Sequence, residues 1–209
     1  MKKMKKKSII SIAVIFSSVM VFAQTQTENF ESNSWGWTET SSKDGEAIIK
    51  EGVFHLEGKK TAVMSLWGIA SEPSFIETHC FAGFDPSKNF EIKCTAMVKK
   101  ISDNGNFGLI LDYFDEGNFI VFIVHDEEAW LLRYKDYRVI GRIRNTLKQK
   151  DKTKVSVDIS VKSTYQKLQF YINGMKAIEA RYLPLITNGF GFYVAGSQIV
   201  DFDNVEIRQ

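Results

Sequence analysis

Asn118-Phe119-Ile120-Val121-Phe122-Ile123-Val124-His125 reads as a strand that is apolar on both of its faces. Alternate side chains of an extended chain point to opposite sides. Phe119, Val121 and Ile123 therefore share one side, and Ile120, Phe122 and Val124 share the other. One side can pack against a second sheet, while the other must be covered by loops or line a groove. This favours an all-β fold, a two-sheet antiparallel jelly roll with a concave face, over a sandwich with one wet side.

The flanking sequence extends the pattern. Phe107 to Tyr113 joins this strand through Asp115-Glu116-Gly117, a hairpin signal. Trp130 to Tyr134 and Arg138 to Ile143 flank a turn at Lys135-Asp136. Leu168 to Ile172 meets Met175 to Ala180 across Asn173-Gly174, the residue pair that best tolerates positive φ at both centres of a type I′ turn. Val53 to Leu56, Ala62 to Leu66, Val155 to Val161, Phe190 to Ala195 and Gln198 to Ile207 complete the expected strands. No window carries a sustained helical stripe.

The start of the chain reads differently. Met1 to Lys7 hold five lysines and no acid, Ile9 to Phe22 is largely apolar, and Val21-Phe22-Ala23 supplies small or aliphatic residues at −3 and −1. These are the parts of a secretory signal peptide over 1–23. The rest, 24–209, is expected to form one jelly-roll domain with no membrane anchor. The protein is then secreted, whether periplasmic, at the cell surface or extracellular. Without the leader's five lysines, 22 basic residues face 25 acidic ones, a net charge of −3. A mildly acidic domain has no electrostatic footprint for nucleic acid. The lysines at 148, 150, 152 and 154 alternate with polar residues and read as a solvated loop entering a strand.

Cys80 and Cys94 belong to a chain bound for an oxidising compartment. Period-two alternation over Phe90–Val98 places Cys94 on a buried face, and Asp85-Pro86-Ser87-Lys88 falls midway between the cysteines. A hairpin there would set them opposite each other, which predicts a cross-strand disulfide worth about 3 kcal/mol. Two buried free thiols are the alternative.

Several segments together carry a resemblance: Phe107-Gly108-Leu109-Ile110, Asn118-Phe119-x-x-Phe122-x-Val124, Leu168-x-Phe170-Tyr171-Ile172-Asn173-Gly174, Gly189-Phe190-Gly191-Phe192-x-Val194 and Val200-x-Phe202-Asp203-Asn204-Val205-x-Ile207. Their succession, from about Glu28 to the end, resembles the concanavalin A-like lectin/glucanase jelly roll with laminin-G-like domains. The resemblance implies a two-sheet sandwich and carbohydrate binding or hydrolysis. The family's catalytic Glu-x-Asp-x-x-Glu pattern is not reproduced. Asp126-x-Glu128-x-Trp130 puts tryptophan at the third place, and Asp201-x-Asp203 is followed by Val205. No catalytic residue is assigned, and the reading leans away from an enzyme.

The aromatic residues carry the binding case, because sugar rings present apolar faces to amphipathic Trp and Tyr. Trp130 and Tyr134 share a strand face, Asp112 and Tyr113 lie on a neighbouring hairpin, Tyr137 and Arg138 open the next strand, and Trp67 sits beside Gly68. Trp130-x-Leu132-x-Tyr134 is equally what a core face looks like. Strict alternation along the last strand places Asp201 and Asp203 among Ile199, Val205 and Ile207. Asp203 is expected to bond backbone amides near Asn29-Phe30, or to help Glu28 hold a structural calcium ion. His55, His79 and His125 have no ligand spacing between any two. The expected protein is thus a secreted, non-catalytic glycan-binding module with a polysaccharide partner. A glycoside hydrolase-like enzyme and a protein-interaction module are its rivals.

Overall fold

The computed structural model describes residues 24–59, 75–100, 105–147, 155–164, 167–181 and 184–209. Their strands are β1 (Thr25–Glu28), β2 (Thr40–Ser42), β3 (Gly45–Lys50), β4 (Val53–Gly58), β5 (Phe75–Phe81), β6 (Phe90–Lys100), β7 (Asn106–Asp115) and β8 (Asn118–His125). There follow β9 (Glu128–Lys135), β10 (Arg138–Thr146), β11 (Ser156–Thr164), β12 (Lys167–Ile172), β13 (Met175–Arg181), β14 (Gly189–Ala195) and β15 (Ile199–Arg208). All the pairings are antiparallel and form two sheets. One runs β13-β12-β11-β6-β15-β4-β3-β2, with β1 beside the far half of β15, and the other runs β10-β9-β8-β7-β14-β5.

The core lies between the sheets. Phe192 of β14 stacks on Phe202 of β15 at 4.2 Å and on Trp37 at 4.8 Å, so three rings from three segments interlock. Phe122 of β8 stacks on Phe170 of β12 at 4.8 Å, tying the sheets together a second time. The two-faced reading of β8 holds. Ile120, Phe122 and Val124 belong to the core between the sheets, while Phe119, Val121 and Ile123 belong to a second apolar cluster on the outer side of the six-stranded sheet.

Three sequence expectations need correction. The turn near Asp85–Lys88 does not close a hairpin, because β5 pairs with β14 in one sheet and β6 pairs with β11 and β15 in the other. Cys80 and Cys94 accordingly sit on strands of opposite sheets as buried free thiols, and the predicted disulfide is not formed. Alternation along β15 also breaks, at a bulge between Asp203 and Glu206 where Asn204 adopts φ 53°. The bulge returns Val205 and Ile207 to the core side with Val200 and Phe202, leaving Asp203 outside. Finally, β3 at Gly45–Lys50 was not anticipated. The expected leader, the strand at Ala62–Leu66, Trp67 and the lysines at 148–154 lie outside the described residues.

Candidate functional site

The outer face of the six-stranded sheet is lined by side chains from the sheet itself, among them Tyr113, Phe119, Trp130 and Tyr193. β14 separates β5 from β7, so side chains on those two strands start roughly 10 Å apart. Yet His79 of β5 and Tyr113 of β7 stack at 3.8 Å between centroids, 16° from parallel. Glycines make this possible. Gly189 and Gly191 of β14 pair with Phe81 and His79 and carry no side chain between the two rings. A Cβ at Gly191 would overlap the Thr78 carbonyl, and one at Gly189 would overlap that of Tyr113, so the strand admits nothing larger.

From Tyr113 the rings continue across the sheet. Phe119 of β8 stacks on Tyr113 at 6.2 Å and on Tyr134 of β9 at 4.7 Å. The last two rings of this His79–Tyr113–Phe119–Tyr134 row border a cleft of about 330 Å³ that Ile120 and Arg133, from the opposite face of the same strands, line together with Asp112, Phe114 and Ile186. Phe114 at its mouth is 67% exposed.

A carboxyl group marks the β5 end of the face. Glu77 pairs across the ladder with Tyr193, and its Oε2 is buried without a hydrogen-bond partner. Burial pushes its pKa from the ordinary carboxylate range up to about 7, a hydrogen bond with Tyr113 partly offsets this, and nearby Glu116 adds to it. Burial also lowers the pKa of His79, against a smaller opposite effect from Glu116.

Guanidinium groups mark the other end. Arg142 and Arg144 of β10 lie opposite Leu132 and Trp130 of β9, and their guanidinium carbons stand 5.3 and 5.4 Å from the Trp130 ring centroid. Glu128 accepts a 2.8 Å hydrogen bond from the Trp130 indole N–H and pairs with Arg144, which holds its carboxyl below the usual range.

The structure thus brings Tyr113, Trp130 and Tyr134 to one face, as the sequence suggested, but Tyr113 and Trp130 form its floor, each 5% exposed. Asp112 has a backbone role: its Oδ1 accepts from the amides of Ile186 and Thr187 at 2.6 and 2.8 Å, pinning the segment before β14. Tyr137 occupies the β9–β10 turn at φ 62°, is 72% exposed and rests its ring against Gly117, with Arg138 exposed beside it. Glu28, not Asp203, bonds the amides of Asn29 and Phe30, and it also accepts from Ser34. Asp203 instead bonds Asn204. Among the described residues, no three His, Cys, Asp or Glu groups are placed to hold a metal ion. Sequence reasoning missed Glu77, His79, Tyr193, Arg142 and Arg144. The Gly189-x-Gly191 pair was the available signal for the first two, since side-chain-free positions on an inner strand let its neighbours' side chains meet.

These features define a concanavalin A-like jelly roll, with two antiparallel sheets and a ring-lined outer face on the smaller one. Solved structures agree. The catalytic domain of an endo-1,3-β-glucanase (laminarinase) from Thermotoga petrophila RKU-1 superposes with a TM-score of 0.58 at 9% identity, covering 90% of this chain and 98% of that one. A Bacillus subtilis protein with a galectin-like fold gives 0.58 at 12% identity, over 90% and 98% of the two chains. The Bacillus licheniformis β-glucanase gives 0.58 at 7% identity, over 88% and 98%. No protein-family profile matches the sequence, and no curated protein matches it.

Proposed function

We propose that this is a secreted glycan-binding module that seats a saccharide chain on the outer face of its six-stranded sheet. The carrying observation is the ring row His79–Tyr113–Phe119–Tyr134, which crosses the sheet to an open cleft. The exposed ring surface and the tyrosine hydroxyls at the cleft end suit the apolar faces and hydroxyl edges of sugars, with Phe119, 2% exposed, part of the floor. Tyr134 and Phe114 at the cleft and Tyr137 on the adjoining turn offer ring surface, while Tyr113 and Trp130 support it from below. Glucanases and a galectin-like protein among the structures of this shape are in keeping with a saccharide ligand. The basic, then apolar, first 23 residues support export.

Binding is favoured over hydrolysis on geometric grounds. Glycosidases place two carboxyl groups about 5 Å apart, or up to roughly 9.5 Å when inverting. Glu77 on β5 and Glu128 on β9, the carboxyl groups at the two ends of the face, are separated by four ladder steps, about 19 Å at the usual strand spacing, too far to act as such a pair. One observation favours the rival enzyme reading: Glu77 is held near neutrality with Glu116 close by, as a general acid would be. Affinity electrophoresis of the purified protein against a panel of polysaccharides tests the binding proposal, and a reducing-sugar assay on the same panel tests the rival. Retardation lost on Tyr134→Ala with the fold intact is the expected result. Free migration in every gel would refute binding, and released reducing ends would replace it with catalysis.

A further inference from the structure

We infer that the β9–β10 end of this face is a subsite for an anionic sugar substituent, a uronate carboxylate or a sulfate ester, held by the Arg142 guanidinium. The inference rests on the glycan-binding reading and specifies which class of glycan it concerns.

Three observations converge on Arg142. First, the local charge is unbalanced. Arg142 and Arg144 flank one indole, and the single carboxylate there, Glu128, is committed to Arg144 and to the Trp130 N–H. No carboxylate among the described residues lies within ion-pair distance of Arg142, whose guanidinium lies over the Trp130 ring. Arg138, on the same strand, likewise has no ion pair among the described residues. This surplus stands on a chain that carries a net −3 without its leader, so it is a local feature and not a general basicity.

Second, Arg142 is accessible. β10 is the edge strand of its sheet, and Arg142 is exposed on it. Third, it is held in place by the ring. The guanidinium carbon lies over the Trp130 ring at 5.3 Å, a cation–π contact that leaves its N–H groups able to meet two oxygens of a carboxylate or sulfate in a bidentate pair. Arg142 also acts electrostatically on Tyr134, lowering that hydroxyl's pKa against a larger upward effect of burial. The subsite is therefore continuous with the ring row. A sugar seated at Tyr134 would place its own or its neighbour's acidic group at Arg142.

The test is affinity electrophoresis of the purified protein through gels containing polygalacturonate, dextran sulfate or neutral laminarin, at low and high salt. The variants are Arg142→Ala and Lys162→Ala, the latter removing one exposed cation from β11 of the other sheet. Near-UV circular dichroism checks that each is folded. Expected are salt-sensitive retardation by an acidic polymer, a weakening of about tenfold in Arg142→Ala, the effect of losing one charge-assisted pair, and no change in Lys162→Ala. Retardation by polygalacturonate assigns the carboxylate, and retardation by dextran sulfate alone assigns the sulfate. Retardation by laminarin alone overturns the subsite and leaves glycan binding standing. An acidic-polymer response that Arg142→Ala does not diminish, or that Lys162→Ala diminishes equally, overturns it as non-specific polyanion binding. Free migration in all three gels overturns both readings.

Discussion

Glu77→Gln is predicted to stabilise the protein at alkaline pH and to leave it nearly unchanged in acid. Burial raises the Glu77 carboxyl from the unperturbed 4.5 to about 7 in the folded protein. Between those values the folded state binds a proton that the unfolded state has released, so stability falls as pH rises from about 4.5 to 7 and then levels off. A shift of this size corresponds to about 3 kcal/mol, an upper figure for a group that retains some solvent contact. Glutamine keeps the shape and an acceptor for Tyr113 but cannot ionise, so it escapes this cost above pH 7. Urea unfolding of wild type and variant, at pH 5 and pH 8.5, measures the difference. The expectation is a gain of about 2–3 kcal/mol at the higher pH and under 1 kcal/mol at the lower. Equal effects at both pH values, or a loss at pH 8.5, would show that Glu77 is not held neutral by its surroundings.

Three further outcomes follow from the geometry. Gly191→Ala should destabilise the protein by more than about 2 kcal/mol, because its Cβ would overlap the Thr78 carbonyl within the β5–β14 ladder; an unchanged urea midpoint would contradict this. Asp112→Ala should cost about 2 kcal/mol by leaving the Ile186 and Thr187 amides without their carboxylate acceptor. Its urea midpoint should fall with glycan retardation retained at low temperature, and lost binding in a folded variant would give Asp112 a direct role. Cys80 and Cys94 should resist a thiol reagent in the native state, since burial pushes both thiols up in pKa. Both should react after denaturation without reductant, whereas a count of zero would restore the disulfide.

The strands were legible because period-two alternation is a local property. Phe90 to Val98, Phe119 to Val124 and Leu168 to Ile172 each announce a strand without reference to the rest of the chain. Partnership is not local. A tight turn between two strand-like runs ordinarily closes a hairpin, and the Asn173-Gly174 hairpin does, with φ of 50° and 74°. The Asp85–Lys88 turn instead carries the chain from one sheet to the other, so Cys80 and Cys94 do not become ladder partners. Alternation likewise cannot reveal the single extra residue at Asn204 that reverses the faces of β15. The site follows the same rule. Tyr113, Trp130 and Tyr134 were found because β7, β8 and β9 are consecutive hairpins. His79 and Glu77 were missed because β5 reaches that face only through pairing with β14, more than a hundred residues later.

The placement of Glu77 bears on whether the outer face is a binding surface or merely a second core. A second core needs apolar side chains, and Val121, Ile123 and Leu132 supply them. Glu77 works against that end, with one buried carboxylate oxygen that has no partner and a charge the site resists. A glutamine or an aliphatic residue would serve the ladder with Tyr193 better. Arg142, at the far side, also contributes a charge that no carboxylate among the described residues neutralises. A face assembled only for stability would have neither an ionisable group driven toward neutrality nor a cation over an indole without a carboxylate partner among the described residues. The second becomes intelligible if a ligand completes it, with an acidic substituent closing the Arg142 end. The two ends differ in charge and lie on opposite sides of the ring row, so the face is polar. A saccharide chain, which is itself directional, would be held in one orientation along it.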